Sequence, residues 1–342
     1  MMRLSGLAML GACVLALAGC DKTGAYGDVN SIIVGTSMEL WDEVGETVTT
    51  GLEPTIFTVR DERTFKITYQ DPLAADWEIL REFKQVLLIG TVEDPWIAEA
   101  MEESDITNTE PFGVPGVIQL IDVWARGQLV TALLLPPGGG AAEVEAHVGE
   151  LLALFDGQYR TYARTRMFVS GRDSLLADTL RAVGGFALDL PRVYRWDYQD
   201  SVFIFRNDNP DPAELIREIA VTWRTPVAGP LADSAILDWR LSLTRAYYTD
   251  EQVVTEELAP GRDLSDDAYE LRGIWESPPD AWPAAGPFLT RTKVCPGQDR
   301  VYLLDSWLYA PGKDKYEYML QLEYILDSFA CEAEVPVAAM EQ

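Results

Sequence analysis

The first twenty residues constrain the rest of the chain most, because they indicate where it folds. Arg3 is the only charged residue before Asp21, and residues 4–18 are almost wholly apolar or small. A short apolar run after a positive start is typical of a secretory signal and is too short for a stop-transfer membrane helix. We therefore expect an exported chain that folds where disulfides form and where cytoplasmic cofactors are scarce.

The signal ends in the residues Leu17-Ala18-Gly19-Cys20. This run resembles the bacterial lipoprotein box, in which the cysteine thiol is lipidated and becomes the first residue of the mature chain. The resemblance implies a palmitate-bearing anchor at Cys20, held in the membrane by about 0.8 kcal/mol per buried CH₂. An ordinary signal peptide followed by a chance cysteine is the alternative. Asp21, next to the lipidated cysteine, resembles the signal that retains some lipoproteins in the inner membrane. Because this sorting rule does not apply in all bacteria, the choice between inner and outer membrane stays open.

Composition excludes several classes of protein. Of the 342 residues, 48% are hydrophobic, so the chain can build packed cores and is not a disordered tether. Its formal net charge is −28. Because a surface this acidic repels phosphate backbones, we expect no nucleic-acid partner.

The pattern along the chain predicts a short tether followed by two folded halves. Apolar strands alternate with helices in the first half, including the apolar run Val86–Gly90 and a long helix that begins near Val144. Short strands joined by tight turns dominate the second half. The predicted fold class is α+β, with an N-terminal α/β half followed by a mostly antiparallel sheet with helices. The predicted segments are the signal peptide 1–19, tether 20–30, α/β domain 31–170, α+β domain 171–331 and tail 332–342.

Local patterns make finer predictions. Residues 77–85 are expected to be helical and residues 122–126 to form a strand. Residues 173–183 are expected to form a helix that ends at Gly184-Gly185, because glycine favours the left-handed conformation that terminates helices.

Two cysteines remain in the mature chain besides the lipidated one. Cys295 and Cys331 form an even pair in an exported protein, which suggests one disulfide. Two free thiols are the open alternative. A structural zinc site is disfavoured because it needs four ligands and the chain has one histidine.

Four runs of sequence carry a resemblance to one family. They are Asp122–Val130 (DVWARGQLV), Leu190–Trp196 (LPRVYRW), Leu271–Trp275 (LRGIW) with Gly286–Phe288 (GPF), and Val301–Lys315, which contains WLYAPGK. The set resembles the bacterial lipoprotein family catalogued as domain of unknown function 4837, over residues 30–330. Gly127 stands where that family often has proline. The resemblance implies an exported lipoprotein in two halves and brings no catalytic residues. The second half also loosely resembles the PsbP fold.

Most catalytic and metal chemistries lack their residues. His147 is the only histidine, so it alone could serve a serine nucleophile, and Ser37 is better explained as a helix cap. The Gly138-Gly139-Gly140 turn lacks the last glycine of a dinucleotide fingerprint. The Asn207–Asp211 run lacks the glycine and glutamate of a calcium loop, which leaves only a looser acidic site open. We therefore expect no catalytic residue, metal or cofactor.

Carboxylates and tryptophans remain as candidate functional groups. Any pair of the 55 acidic residues could be proposed for glycoside hydrolysis. Core packing is the expected fate of the tryptophans on predicted strands, which are Trp196, Trp223, Trp275 and Trp307. Trp282, in a proline-rich loop, is the best candidate for an exposed aromatic contact.

The sequence therefore favours a non-enzymatic envelope protein that binds a partner or scaffolds an assembly. Its expected partners are the membrane, through the lipid at Cys20, and an unidentified envelope protein. The alternative is a carboxylate-dependent hydrolase or a binding protein for envelope glycans.

Overall fold

The structure is a computed structural model that describes residues 22–104, 113–208, 215–227, 231–249 and 252–332. The α-helices are α1 (Met38–Leu52), α2 (Trp77–Leu80), α3 (Pro95–Glu103), α4 (Ala141–Met167), α5 (Ser174–Thr179), α6 (Asp233–Tyr247) and α7 (Tyr316–Asp327). The strands are β1 (Ser31–Gly35), β2 (Thr55–Ile56), β3 (Glu62–Arg63), β4 (Lys66–Gln70), β5 (Gln85–Gly90), β6 (Gly116–Ile121), β7 (Leu129–Leu134), β8 (Phe186–Ala187), β9 (Arg195–Gln199), β10 (Val202–Asn207), β11 (Ile216–Arg224), β12 (Val253–Leu258), β13 (Arg262–Ser265), β14 (Ala268–Glu276), β15 (Ala285–Cys295), β16 (Arg300–Tyr309) and β17 (Ala330–Cys331).

These elements form two compact units. The first consists of the described parts of Met1–Asp42 and Thr68–Gly140, and the second of those of Glu43–Ile67 and Ala141–Gln342. Helices combined with a mixed sheet and an antiparallel sheet confirm the predicted α+β class. These units do not coincide with the predicted domains, which divide near residue 170. The predicted domains are independently folding segments, and that division stays a prediction. Helix α4 belongs to the second unit because it packs on α7, where the rings of Tyr159 and Tyr316 stack with centroids 4.9 Å apart.

The first unit is built on a five-stranded sheet in the order β4-β1-β5-β7-β6. Strands β1, β5 and β7 are parallel, and β6 runs antiparallel at one edge. Strand β5 is buried along its whole length, as expected of a parallel strand covered on both faces. Its apolar run is the one from which the sequence predicts a buried strand.

The described part of the predicted tether is held against the first unit. Ala25 N donates to Arg126 O at 2.9 Å, and Lys84 N donates to Tyr26 O at 2.9 Å. The Tyr26 hydroxyl also donates to Ile79 O. Residues 22–30 are therefore ordered against this unit, whereas Cys20 and Asp21 lie outside the described residues.

The predicted strand at residues 122–126 is a loop in the structure. Asp122 has φ +53°, and its carboxylate accepts from Gly127 N at 2.6 Å, so the chain turns back on itself. The buried Gln128 amide fixes the loop because it accepts from Trp124 N at 2.9 Å and donates to Phe83 O at 2.8 Å. Gly127 has φ +80°, a conformation that the ring of proline does not permit.

Two predicted helices are shorter or less regular than expected. Helix α2 ends at Leu80 because the chain must reach strand β5 at Gln85. Helix α5 is capped by Asp173, whose carboxylate accepts from Leu176 N at 3.0 Å, and continues as a π-helical turn (Leu180–Gly184). Gly185 ends it in the left-handed conformation, which confirms the predicted glycine stop.

The second unit is built on a large antiparallel sheet in the order β12-β14-β15-β16-β11-β10-β9, with β13 paired to β14. Side chains on β16 alternate between two cores, as the two-residue period of a strand requires. Leu303 and Trp307 face the core that includes α6, whereas Leu304 and Leu308 face the core that includes α7. We call these the α6 face and the α7 face of the sheet.

Cys295 and Cys331 are joined by a disulfide, with their Cα atoms 5.8 Å apart. This confirms the predicted pairing. The bond links the end of β15 to β17, which pairs with β8. Within the described ranges, no helix has the length and apolar character needed to cross a membrane.

Candidate functional site

An open cavity of about 350 Å³ lies on the α6 face of the second unit, where several strands end. We call it the aromatic cleft. Ile216 and Tyr309 are paired neighbours on β11 and β16, and Trp275 and Ala284 belong to the β14–β15 hairpin. The cleft is lined by Ile216, Thr249, Trp275, Ser277, Ala281, Trp282, Ala284, Trp307 and Tyr309. None of these side chains carries a charge.

Trp282 lies on the loop that connects β14 to β15. The loop is closed by a hydrogen bond from Ser277 N to Ala284 O at 2.9 Å, with a tight turn inside it from Ala281 N to Pro278 O at 2.9 Å. Three prolines restrict its backbone further, and they are Pro278, Pro279 and Pro283. Trp282, on this proline-restricted loop, is 85% exposed. A large apolar side chain is therefore held out at the mouth of the cleft on a stiff support.

The inner wall of the cleft consists of packed aromatic rings. Trp275 and Trp307 meet edge to face, with centroids 5.2 Å apart and an interplanar angle of 76°. Tyr309 packs against Trp275 with a centroid distance of 6.2 Å. Both tryptophans are almost completely buried, so they confirm the expected core packing, yet they also form part of the cleft surface.

A buried ion pair fixes the orientation of Trp307. Its indole Nε1 donates to Glu218 Oε1 at 3.2 Å, and Arg206 Nη1 donates to Glu218 Oε2 at 2.8 Å. The Arg206 guanidinium carbon lies 5.7 Å from the Trp307 ring centroid, which is a cation–π contact. The carboxylate of Glu218 is thus engaged behind the cleft wall and balanced by Arg206.

Deeper on the α6 face, Asp305 holds helix α6 to the sheet. Its carboxylate accepts from Arg240 Nε at 3.0 Å, from Thr290 Oγ1 at 2.5 Å and from the Tyr248 hydroxyl at 2.6 Å. Burial, together with the nearby Asp305 carboxylate, raises the pKa of Tyr248 well above its usual value, so this phenol stays protonated. Arg240 Nη2 donates to Gln252 Oε1 at 2.7 Å. These bonds make the network a fixed structural support.

A second charged network lies on the α7 face around Glu270. Its carboxylate accepts from Arg272 Nε at 2.8 Å and from Arg291 Nε at 2.8 Å, and Arg262 Nη2 lies 2.6 Å from it. Burial alone would raise the pKa of Glu270, but the hydrogen bonds and charges of Arg272 and Arg291 outweigh it and lower the pKa. A carboxyl with a lowered pKa is a poor general acid.

Glu317 on α7 is a carboxyl with the opposite shift. Burial raises its pKa, as a general acid requires, although Arg166 and Arg217 lower it in part. Its carboxylate accepts from Gln321 Nε2 at 3.0 Å and lies 3.3 Å from Arg166 Nε. It does not line the aromatic cleft. The carboxylates of Glu218, Asp305 and Glu270, which accept from arginines, therefore stabilise the fold. The cleft itself is lined by aromatic and other uncharged side chains.

The remaining predicted positions are readily placed. Ser37 Oγ accepts from Leu40 N at 3.2 Å, as expected of a helix cap, and His147 lies within α4 with Nδ1 2.7 Å from Glu143 O. In the described part of the chain, no group of three or more histidine, cysteine or acidic residues could hold a metal ion. The calcium-like run at Asn207–Asp211 lies partly outside the described residues.

Sequence reasoning identified Trp282 but misplaced Trp196. Trp196 is 43% exposed on β9, which is an edge strand of the sheet as described. Its pairing partner Phe205 belongs to the α7-face core, so Trp196 lies on the opposite face from the aromatic cleft. Sequence reasoning also missed Ile216, Thr249 and Tyr309 as lining residues. The strand register that brings them together carries no local signal.

Comparisons with known proteins show distant structural similarity and a family match over part of the chain. Among solved structures, the Ran-binding protein Mog1p of Saccharomyces cerevisiae has 12% identity and a TM-score of 0.32, with 44% of this chain and 92% of that chain covered. A point mutant of Mog1 has 12% identity and a TM-score of 0.31 over the same shares, 44% and 92%. Human STARD10 has 8% identity and a TM-score of 0.20, with 45% of this chain and 75% of that chain covered.

No curated protein matches the chain. The loose PsbP resemblance stays a prediction. A family model described as Domain of unknown function (DUF4837) matches residues 174–328, which contain three of the four runs noted in the sequence and the whole aromatic cleft. The run Asp122–Val130 lies outside the matched part. Over residues 174–328 the chain is therefore similar to the family catalogued as domain of unknown function 4837.

Proposed function

We propose that this chain is a lipid-anchored protein of the bacterial cell envelope whose second unit binds a partner in the aromatic cleft, without catalysing a reaction. The single observation that carries the proposal is Trp282, which is 85% exposed on a stiff loop at the mouth of the cleft. The anchor rests on the sequence around Cys20, and the extracytoplasmic location follows from it.

The energetics favour binding at this position. A tryptophan exposes roughly 200 Å² when free, and burying it against a partner makes it a typical hot spot, worth at least about 2 kcal/mol. Because the three prolines already restrict the loop, little conformational entropy is lost when the indole is immobilised.

The carboxylate networks argue against the hydrolase alternative. Glu218, Asp305 and Glu270 each accept from at least one arginine, and all three are almost fully buried. A glycosidase needs one carboxyl with a raised pKa and a second one across the substrate. Glu317 has the raised pKa but lies outside the cleft lining.

Glycan binding without hydrolysis keeps one specific argument in its favour. An exposed indole beside other aromatic rings is a surface on which a sugar ring can stack. Photocrosslinking also examines this candidate, because a glycan ligand would leave no crosslinked protein. Glycan binding would then be present in the wild-type chain and absent from a variant whose cleft is filled.

The test is site-specific photocrosslinking of the full, membrane-bound chain in intact cells. A photoreactive phenylalanine analogue replaces Trp282, or Trp196 as a matched position on the opposite sheet face. We expect one reproducible crosslinked protein from position 282 and none of it from position 196. The crosslink should disappear when Ala281, which lines the cleft, is changed to arginine (Ala281→Arg).

Equal crosslinking from positions 282 and 196, or a crosslink that survives Ala281→Arg, would overturn the proposed binding site. If no protein is crosslinked, purified envelope glycan is tested for retention of the wild-type chain and the Ala281→Arg variant. Retention that requires an unfilled cleft supports the glycan candidate, and no retention overturns binding at the cleft.

A further inference from the structure

We infer that the aromatic cleft accepts a cationic side chain, a lysine or an arginine, from a basic segment of the partner. This inference rests on the proposed function, because it names the chemistry that the same cleft recognises.

The first support is the character of the cleft surface. Its accessible aromatic surface is the indole of Trp282 with the part-exposed ring of Tyr309, while Trp275 and Trp307 lie almost fully buried behind them. Aromatic faces attract cations that lie within about 6 Å of the ring centroid. The Arg206 guanidinium carbon already lies 5.7 Å from the Trp307 ring centroid. One ring of the cleft thus takes part in a cation–π contact within the folded chain.

The second support is the charge around the cleft. Glu276 and Asp280 are exposed on the segment that carries Trp282, and residues 276–285 contain no basic residue. Arg206 adds little positive potential because it is paired with Glu218. The segment that carries Trp282 therefore contributes two negative charges and no positive one, although neither carboxylate lines the cleft, so the local potential favours a cationic side chain over an acidic one.

The third support concerns size and steering. A cavity of about 350 Å³ is near the lower end of the volumes of ligand pockets, and it suits one long side chain with its adjoining backbone better than a folded element. The net charge of −28 attracts basic segments over longer distances and raises their association rate at low ionic strength.

The test measures binding of dye-labelled nonapeptides to the full lipidated chain in detergent, by fluorescence anisotropy. The peptides consist of glycine and serine with one central residue, which is lysine, its uncharged analogue norleucine, or glutamate. We expect the lysine peptide to bind about tenfold more tightly than the norleucine peptide, and the glutamate peptide to bind more weakly than either.

Substitutions locate the effect. Trp282→Ala should weaken binding of the lysine peptide at least about fivefold, whereas Trp196→Ala should leave it unchanged. The double change Glu276→Gln with Asp280→Asn should reduce the preference for lysine over norleucine. Asp266→Asn is the matched charge control, because Asp266 is exposed at the opposite end of β14.

The possible outcomes separate the two proposals. Equal binding of the lysine and norleucine peptides, lost in Trp282→Ala, overturns the cationic preference and leaves the cleft as a binding site. Tighter binding of the glutamate peptide overturns the preference as well. If every peptide binds wild type and Trp282→Ala with the same affinity, the cationic preference is wrong. The crosslinking result then decides the proposed function by itself.

Discussion

At the scale of single residues, the fully buried carboxylates in the described part of the chain are paired with arginines. Glu218 is paired with Arg206, Asp305 with Arg240, and Glu270 with three arginines. A carboxylate taken out of water needs such partners because isolated buried charges are strongly unfavourable. The high acidic content hides these positions in the sequence, since one acidic residue looks like another until its neighbours are known.

Glu270→Gln should lower the free energy of unfolding at neutral pH by about 2 kcal/mol. Arg272 and Arg291 each lose one charge-assisted hydrogen bond, although they keep Glu323 and Asp327 as partners. The folded-state pKa of Glu270 is lowered, so its stabilising effect is present above the unfolded pKa and is lost as the pH falls through the folded value. Wild type should therefore lose stability on acidification below about pH 4.3, and Glu270→Gln should lose less over that range.

The measurement is urea unfolding followed by circular dichroism across the acid range. Glu276→Gln is the control, because this exposed carboxylate is on the same strand but has no paired arginine in the described contacts. Parallel pH profiles for wild type and Glu270→Gln would contradict the assignment.

At the scale of elements, the β14–β15 hairpin combines a clear local sequence signal with the proposed binding loop. Its prolines and Trp282 can be read directly from the sequence, and the loop is where the sequence places it. The strand at residues 122–126 could not be excluded in this way, because a side-chain amide from Gln128 decides the loop. The helix predicted over residues 77–85 was wrong in length because residues 81–84 bond to Gln128 and Tyr26, which are distant in the sequence.

The disulfide is the covalent link between two such elements. Cys331→Ser should reduce the free energy of unfolding by about 3 kcal/mol, because the link closes a loop between residues that are 36 apart and thereby restricts the unfolded chain. Urea unfolding of the oxidised wild type and the variant measures the difference. Reduced wild type should coincide with Cys331→Ser, and equal stability of the oxidised and reduced wild type would show that the bond contributes nothing.

At the scale of the whole molecule, the two compact units are the product of long-range packing. Segment 43–67 joins the second unit even though it precedes most of the first unit in the chain, and helix α4 does so through its aromatic contacts with α7. Phe65 takes part in this packing, with its ring centroid 6.0 Å from that of Tyr316. A reading that proceeds along the chain cannot anticipate a unit made of separated segments.

The anchor is the prediction that concerns the molecule as a whole. Cys20→Ala should abolish incorporation of radiolabelled palmitate and release the chain from the membrane fraction, because no other acyl-bearing position is proposed. Cys13→Ala is the matched control, since this residue lies within the predicted signal peptide and its change should not affect labelling. Continued labelling or membrane association of Cys20→Ala would show that the lipoprotein assignment is wrong.

The sequence by itself determined the α+β class and the glycine stop, and it predicted the disulfide pair, the family resemblance in the second half and Trp282 as the best candidate for an exposed aromatic residue. These features depend on local patterns or on residue types that are rare in this chain. Only the tertiary structure decided the lining of the aromatic cleft, the pairing of buried charges and the division into units. Each of these depends on which strands become neighbours and in which register, and that choice is made by packing across the whole chain.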